Sequence, residues 1–548
     1  RIIFLGHGPD AWLQDLSVDD TEFERYHRDY YNNANTYWLT WGEAAFAEPP
    51  RRMEVRDGSS VTEPYLTQVR DRVHFEEDRI WDPRAREVID SNNPVVPFWD
   101  RFRWLSLDTN ESDTEQIVRL SPLDPVVSEP VRFLGRFWGN SWQPTSSVYF
   151  PDHRLRVRFN GTLIADVDSL SNGRPWDYYV HRDVDQTGTY LRAGSSQEIS
   201  LVLPRNPKRD PSLVRIDHVA LSWIELEYTR LLRARADSLD FFAAGLSGTH
   251  SFEIRGFTTD QLIVIDAGGP EPARILPALP QVGDSVVVRF AATLPVERPG
   301  RYWARSLATL PVPGLERSRL GSAELLRDRS AASDMIILTH RDFLDGAAAW
   351  ADYRAAGFPG REAGERANVH VVDVQQVFDE FSFGRVDPTA IRLFLEMARD
   401  QWTGGVEGAG PAYLLLLGDA HYDYRDQLMR GSRNWVPTCE SYYDRGFQVT
   451  LYSPQFASDD YYGYLEGPND RGLDYYIGRV PVRLAYQVED VLNKTRDYET
   501  PEHLGAGRGR ITMVADDLCQ RENPDNLGLA HMQQTEALLP EIPRTIQN

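Results

Sequence analysis

The run Tyr413–Leu417 reads YLLLL. A strand in an antiparallel sheet with one wet face alternates apolar and polar residues, and this one does not. It has to be covered on both faces, which is the situation of a central strand in a parallel sheet flanked by helices. Its surroundings agree. Met335–His340 reads as a strand, 341–356 as a helix and Val369–Val374 as a strand. Asp387-Pro388 is a helix start, with aspartate as N-cap and proline in the first turn. After it, Ile391, Phe394, Leu395 and Ala398 fall on one helical face. Val488, Val491 and Leu492 mark a later helix, and Arg510–Val514 a further strand. Strand–helix–strand units of this kind make right-handed crossovers and a doubly covered sheet.

The preceding part of the chain follows a period of two. VRFLGRFW (131–138), HRLRVRFNGTLIADV (153–167), EISLVLP (198–204) and HVALSWIELEYTRLL (218–232) read as strands, with Asn160-Gly161 as a tight hairpin turn. The hairpin also explains Asn160-Gly161-Thr162, which is formally a glycosylation sequon. SFEIRGF (251–257), QLIVIDA (261–267), SVVVRFAA (285–292) and RYWARS (301–306) form a second set, separated by a Pro/Gly-rich stretch at 268–284. Strands at this spacing imply antiparallel sandwiches. The expected division is an N-terminal β-rich region at 1–110, a β-sandwich at 111–232, a small β-sandwich at 235–330 and an α/β domain with a mostly parallel sheet at 334–548. A polar linker at 316–333 leads into the last of these.

A chain of 548 residues is too long for one core. Its net charge of −23 argues against nucleic acid as a partner, because phosphates would be repelled. Nearly all positive charge is arginine, the lysines being Lys208 and Lys494. No run of 18 or more apolar residues is present to span a membrane. Arg1 leads straight into a strand-like IIFL with no signal peptide, and the end at Asn548 falls inside an α/β pattern, so a longer parent is expected. Cys439 and Cys519 are too few for a disulfide framework.

Several positions can carry chemistry. Asp419 follows the apolar strand, and functional groups of open α/β sheets gather beyond the carboxyl ends of strands; it can equally cap a loop. Glu466, Asp470 and Asp474 lie in a glycine-containing loop, EGPNDRGLD, that is either an ordinary acidic turn or a source of the oxygen ligands calcium needs. His421 and Cys439 admit a thiolate–imidazole dyad, although separation in sequence says nothing about distance. His7 stands in a Gly-His-Gly, and Cys519 in a VADD loop.

In order along the chain stand MIILTH (335–340), FDEFSFGRVDPTAIRLFL (378–395), YLLLLGDAHYDYR (413–425), VPTCES (436–441), SDDYYGYL (458–465) and YYIGRVPV (475–482). This series resembles the gingipain-like cysteine peptidases of family C25, which have a caspase-like fold, and within them the sortases of the type IX secretion system. The likeness extends to RIIFLGHGPDAW (1–12) and to VADD…H (514–531). The resemblance implies a structural calcium ion held by Asp419, Asp470, Asp474 and the carbonyls of Gly467 and Gly472. SDDYYG is a signature of that family and reads as a folded loop supporting the site, and the plain role of Arg479 is a buried ion pair. The resemblance places the catalytic His and Cys beyond residue 548, so that no residue here is catalytic unless His421 and Cys439 are, and this segment alone is expected to be inactive. The aspartate that gives arginine specificity in some relatives is replaced by Gly528.

The function implied is that of a cell-surface sortase, a cysteine endopeptidase and transpeptidase. It would remove C-terminal signal domains from secreted cargo and attach the cargo to a lipopolysaccharide anchor. It would be held by an outer-membrane β-barrel partner on the extracellular side of a Gram-negative bacterium. Two other readings are a non-catalytic pseudopeptidase serving as a binding scaffold, and a secreted gingipain-like endopeptidase.

Overall fold

The structure is a computed structural model. It describes 11–13, 25–27, 29, 31–38 and most of 53–82; 102–140 apart from 110–112; 153–168; most of 181–204 and 217–314; and, with short gaps, 325–441, 456–500, 505, 511–515 and 527–542.

Two stacked antiparallel pairs of sheets come first. One sheet orders the strands Thr162–Asp168, Arg154–Phe159, Gln197–Leu203 and Thr114–Leu120. It packs on a second sheet built around the long strand Asp217–Leu231, which pairs with Val131–Gly139, Gln68–Glu76 and Leu105–Thr109. Alternate residues of the two inner faces, among them Phe133, Phe137, Leu155, Val157, Phe159, Ile199, Leu201 and Leu226, make the core. The hairpin turns at Asn160-Gly161, whose φ values of 48° and 85° are those of a type I′ turn. The second sandwich closes over Phe241, Phe252, Phe290 and Tyr302.

Two expectations are corrected here. The stretch 268–284 is not merely a separator: Arg274–Leu276 and Leu279–Val282 are edge strands, the second containing Pro280 where an edge tolerates a missing N–H. The boundary at 110 also fails. Tyr65–Leu66 pairs with the second sandwich, whereas Gln68–Glu76 and Leu105–Thr109 belong to the first, so the two sandwiches share the early chain. Asp71 joins them. Its carboxylate takes the Arg230 guanidinium (2.8 Å) in the first sandwich and the Phe242 amide (3.0 Å) in the second. Burial pushes its carboxyl up, and Arg230 pulls it back only in part.

The α/β unit has the parallel order Val369–Asp373, Met335–Thr339, Tyr413–Leu417, Tyr476–Val480. Side-chain alternation divides its core. Ile336, Leu338, Leu414 and Leu416 pack under the helices Val374–Phe381 and Pro388–Gln401, with Ile391, Phe394, Leu395 and Ala398 fully buried. Ile337, Leu415 and Leu417 face the helices Leu344–Ala356 and Ala485–Glu499. Each such side chain contributes about 1.5–3 kcal/mol by leaving water. Asp387 caps its helix by accepting the Thr389 amide at 2.8 Å, with Pro388 in the first turn. The strand expected at 510–514 does not form over 511–515, where Val514 is largely exposed.

Candidate functional site at the carboxyl end of the parallel sheet

Gly418 ends the central strand with φ at +148°, and a Cβ there would lie 2.9 Å from the Trp435 Cβ. Glycine lets the 434–438 segment return across the strand end. The Trp435 and Val436 amides donate to the Asp419 carbonyl (3.0 and 3.3 Å). The Gly418 and Asp419 amides donate to Val480 and Val482 carbonyls (3.0 and 2.9 Å).

Arg479 locks this arrangement. Its Nε and Nη2 donate to the two oxygens of Asp459, both at 2.7 Å, and its Nη1 donates to the Gly418 and Val436 carbonyls, also at 2.7 Å. Burial lowers the guanidinium pKa and the Asp459 hydrogen bonds raise it, leaving it above its ordinary value. Thr438 donates to Asp459 (2.8 Å), and the buried Tyr462 hydroxyl donates to the Pro437 carbonyl (2.6 Å). The SDDYYG segment thus supports the return segment, and Arg479 is in the ion pair expected of it.

Asp419 directs its carboxylate at the exposed Arg483 (2.5 Å). Nearby, His340 follows its strand; its Nδ1 accepts the Asp342 amide (3.1 Å), and Arg433 Nη2 lies 3.2 Å from its Nε2. Burial lowers the His340 pKa and the Arg433 charge lowers it further, against a raising effect of Asp342. Arg433 lies 3.7 Å over the Trp435 ring. This end of the sheet therefore presents arginines, carboxylates and an imidazole, a surface that can bind and orient polar groups.

The expected calcium set does not converge. Asp419 follows a strand, whereas Asp470 and Asp474 precede the neighbouring strand, and the two run parallel in the register Tyr413↔Tyr476 to Leu417↔Val480. The groups therefore sit at opposite ends of the sheet, roughly 15 Å or more apart at about 3.3 Å per residue, too far for ligands of one ion. Adjacency in a sheet brings a strand's exit beside its neighbour's entry only when the strands are antiparallel. Asp470 accepts the amides of Glu466 and Gly472 (both 3.0 Å), while Asp474 accepts that of Leu465 (3.2 Å) and pairs with Arg399 (3.2 Å). The Asp470 carboxylate thus serves its own loop, and Asp474 ties that loop to the helix Pro388–Gln401. Gly472 is exposed beside Asp470, and Gly467 lies outside the described residues. Among the described residues no group of three or more His, Cys, Asp or Glu side chains is placed to hold a metal ion.

The His421 Nδ1 accepts the Asp423 amide (3.0 Å), and its ring stacks on Tyr422, so it orders a turn. Cys439 is 1% exposed, in a strand paired with Phe456–Ser458, and its thiol is not presented to a substrate. His7 and Cys519 lie outside the described residues; Gly528 lies on the helix Leu527–Ala537. Sequence reasoning missed the segment at 29–38, which reaches this unit. Tyr31 sets its ring edge on Tyr424, with centroids 4.7 Å apart, and Asn32 pairs with Val386. No spacing rule links positions 354 apart in sequence.

Residues 328–547 match the model of peptidase family C25, a family of cysteine peptidases. No curated protein matches the chain. Dimeric latent PorU from Porphyromonas gingivalis aligns with a TM-score of 0.57 at 19% identity, over 91% of this chain and 44% of that one. The chain therefore spans less than half the length of that PorU structure. The insecticidal delta-endotoxin Cry8Ea1 of Bacillus thuringiensis aligns at a TM-score of 0.15 and 15% identity, over 22% of this chain and 19% of that one. The ANX2 ectodomain of Arabidopsis thaliana aligns at 0.16 and 11%, over 29% of this chain and 40% of that one. Residues 328–547 are a gingipain-like domain of peptidase family C25, set in a chain with the multidomain fold of PorU.

Proposed function

We propose that this chain is the N-terminal part of a cell-surface sortase of the type IX secretion system. The observation that carries the reading is the C25 match over 328–547, inside a chain whose β domains also follow the PorU fold. The substrates would be cargo proteins with C-terminal signal domains. The chemistry is acyl transfer. A cysteine thiolate attacks the carbonyl before the signal domain, and a histidine protonates the departing amine. An amine or water then attacks the acyl-enzyme and restores the thiol. We assign that pair to residues outside 1–548, as the order of motifs implies. The amine would belong to a lipopolysaccharide anchor, and the β sandwiches would dock an outer-membrane barrel partner.

The test uses the full-length protein with a purified cargo segment, with and without an added amine. Loss of the signal domain, an amine-dependent adduct on the cargo, and abolition of both by thiol alkylation support the reading. Cleavage with no amine adduct at any amine concentration reduces it to an endopeptidase, and intact cargo in every arm removes it.

A further inference from the structure

We propose that residue 29 and residues 31–38 form an internal strap that holds the described part of the 421–441 loop closed over Cys439 and couples the N-terminal region to the carboxyl end of the parallel sheet. The inference stands independently of the peptidase reading.

Asp29 is 3% exposed. Its carboxylate accepts the amides of Tyr31 and Asn32 (2.9 and 3.0 Å), which fixes the bend of the segment, and it pairs with the Arg385 guanidinium. The Asn32 side-chain amide donates to the Val386 carbonyl (3.1 Å) and accepts the Val386 amide (2.9 Å), the two bonds a strand partner would make. Arg425 donates to the Asp29 carbonyl (2.7 Å) and to Asn33 Oδ1 (2.8 Å), and Asn33 donates to the Arg425 carbonyl (3.0 Å). The Trp38 indole donates to the Phe383 carbonyl (2.8 Å), and Phe383 holds φ at 56°, a left-handed conformation that a bulky side chain avoids unless its surroundings impose it.

From the strap a continuous set of contacts runs inward. Tyr31 meets Tyr424, and the Tyr424 hydroxyl donates to the Thr438 carbonyl, one residue before Cys439. The Thr438 hydroxyl donates to Asp459, the partner of Arg479. Burial, with Tyr424, Cys439, Asp387 and Tyr462 close by, raises the Tyr31 hydroxyl well above its ordinary pKa. A second contact comes from the β region, where Trp81 lies on Tyr422 with centroids 4.2 Å apart. A load on the N-terminal region therefore reaches the segment that carries Trp435 and the strand end at Asp419.

Cys439 reports on the strap. In a Cys519→Ser background of the whole 548-residue chain, the rate of Cys439 modification by N-ethylmaleimide is measured under native conditions. Asp29→Asn weakens the pair with Arg385, Asn32→Ala removes both bonds to Val386 and Trp38→Phe removes the bond to Phe383, while Arg385→Lys is a milder fourth. Val488→Ala truncates the core on the opposite face of the same sheet. The strap variants should label about tenfold faster or more, as expected for easier local opening, with an unchanged far-ultraviolet spectrum and little effect from Val488→Ala. Labelling at the unmodified rate in all four strap variants overturns the proposal. So does equal acceleration by Val488→Ala, which would make the opening global.

Discussion

Arg479 and Asp459 meet through two nitrogen–oxygen contacts of 2.7 Å, and the same guanidinium holds the carbonyls of Gly418 and Val436. With the Pro437 carbonyl (3.3 Å), five acceptors on three separate segments thus depend on one side chain. Arg479→Ala should cost about 3 kcal/mol, because it leaves a half-buried carboxylate without its charge partner and the Gly418 and Val436 carbonyls without their donor. Arg479→Lys should lose about half of that, since an ammonium cannot reproduce the fork. Urea denaturation reads both. A loss of only about 0.5 kcal/mol for the alanine variant, as for a surface pair, would show that the bidentate contact does not form.

Gly418→Ala tests the close return of the 434–438 segment. The added Cβ meets Trp435 in a conformation that suits glycine, so the loss should be about 2 kcal/mol or more. A variant as stable as the parent would mean that this segment does not cross the strand end as described.

Asp419 and Asp470 lie at opposite ends of the sheet, so their effects should be independent. The destabilisation of Asp419→Ala and Asp470→Ala should add in the double variant to within about 0.5 kcal/mol, with or without calcium. Calcium-dependent coupling larger than that would restore a shared ion.

His74 lies between Glu225 (3.0 Å) and Glu76 (2.9 Å) on the first sandwich. Trp223 is beside its ring, and Arg72 is on Glu225. Burial lowers the His74 pKa, but the hydrogen bonds to the two glutamates raise it more, and it ends above the ordinary value. Its contribution is therefore full below about pH 6.5 and is lost as pH rises through the folded pKa. For Glu225, burial raises the pKa, His74 and Arg72 lower it more, and it ends low. Its contribution is present above the ordinary glutamate value and is lost on acidification. The stability gap between wild type and His74→Gln, followed by denaturation from pH 5 to pH 9, should narrow as pH rises. A gap that widens with pH would reverse the assignment of charge.

Much of the α/β unit was legible because its signals are local. YLLLL dictates a strand buried on both faces and Asp387-Pro388 a helix start, as Asn160-Gly161 dictates a tight hairpin turn in the first sandwich, and all three form. The failures share a different cause. The edge strands at 274–276 and 279–282 gain their pairing from tertiary neighbours, so a Pro/Gly-rich composition hid them. The 110 boundary assumed that a sandwich is one stretch of chain, whereas Tyr65–Leu66 and Gln68–Glu76 go to different sandwiches. The calcium set came from resemblance, and strand direction separates its members. The pairing of Asn32 with Val386 has no signature in either segment. At the candidate site, the Asp459–Arg479 pair lay within recognisable motifs, while the surroundings of His340 depend on how the loop from Gly418 to Val436 returns.

Under the proposed function, the protein removes C-terminal signal domains at the cell surface. The most direct measurement is mass spectrometry of surface and secreted cargo in the parent bacterium, with its gene intact, deleted, and restored in trans. The account predicts that deletion leaves cargo with the signal domain attached, and that restoration returns processed, anchored cargo. Identical processing in the deleted strain would contradict it.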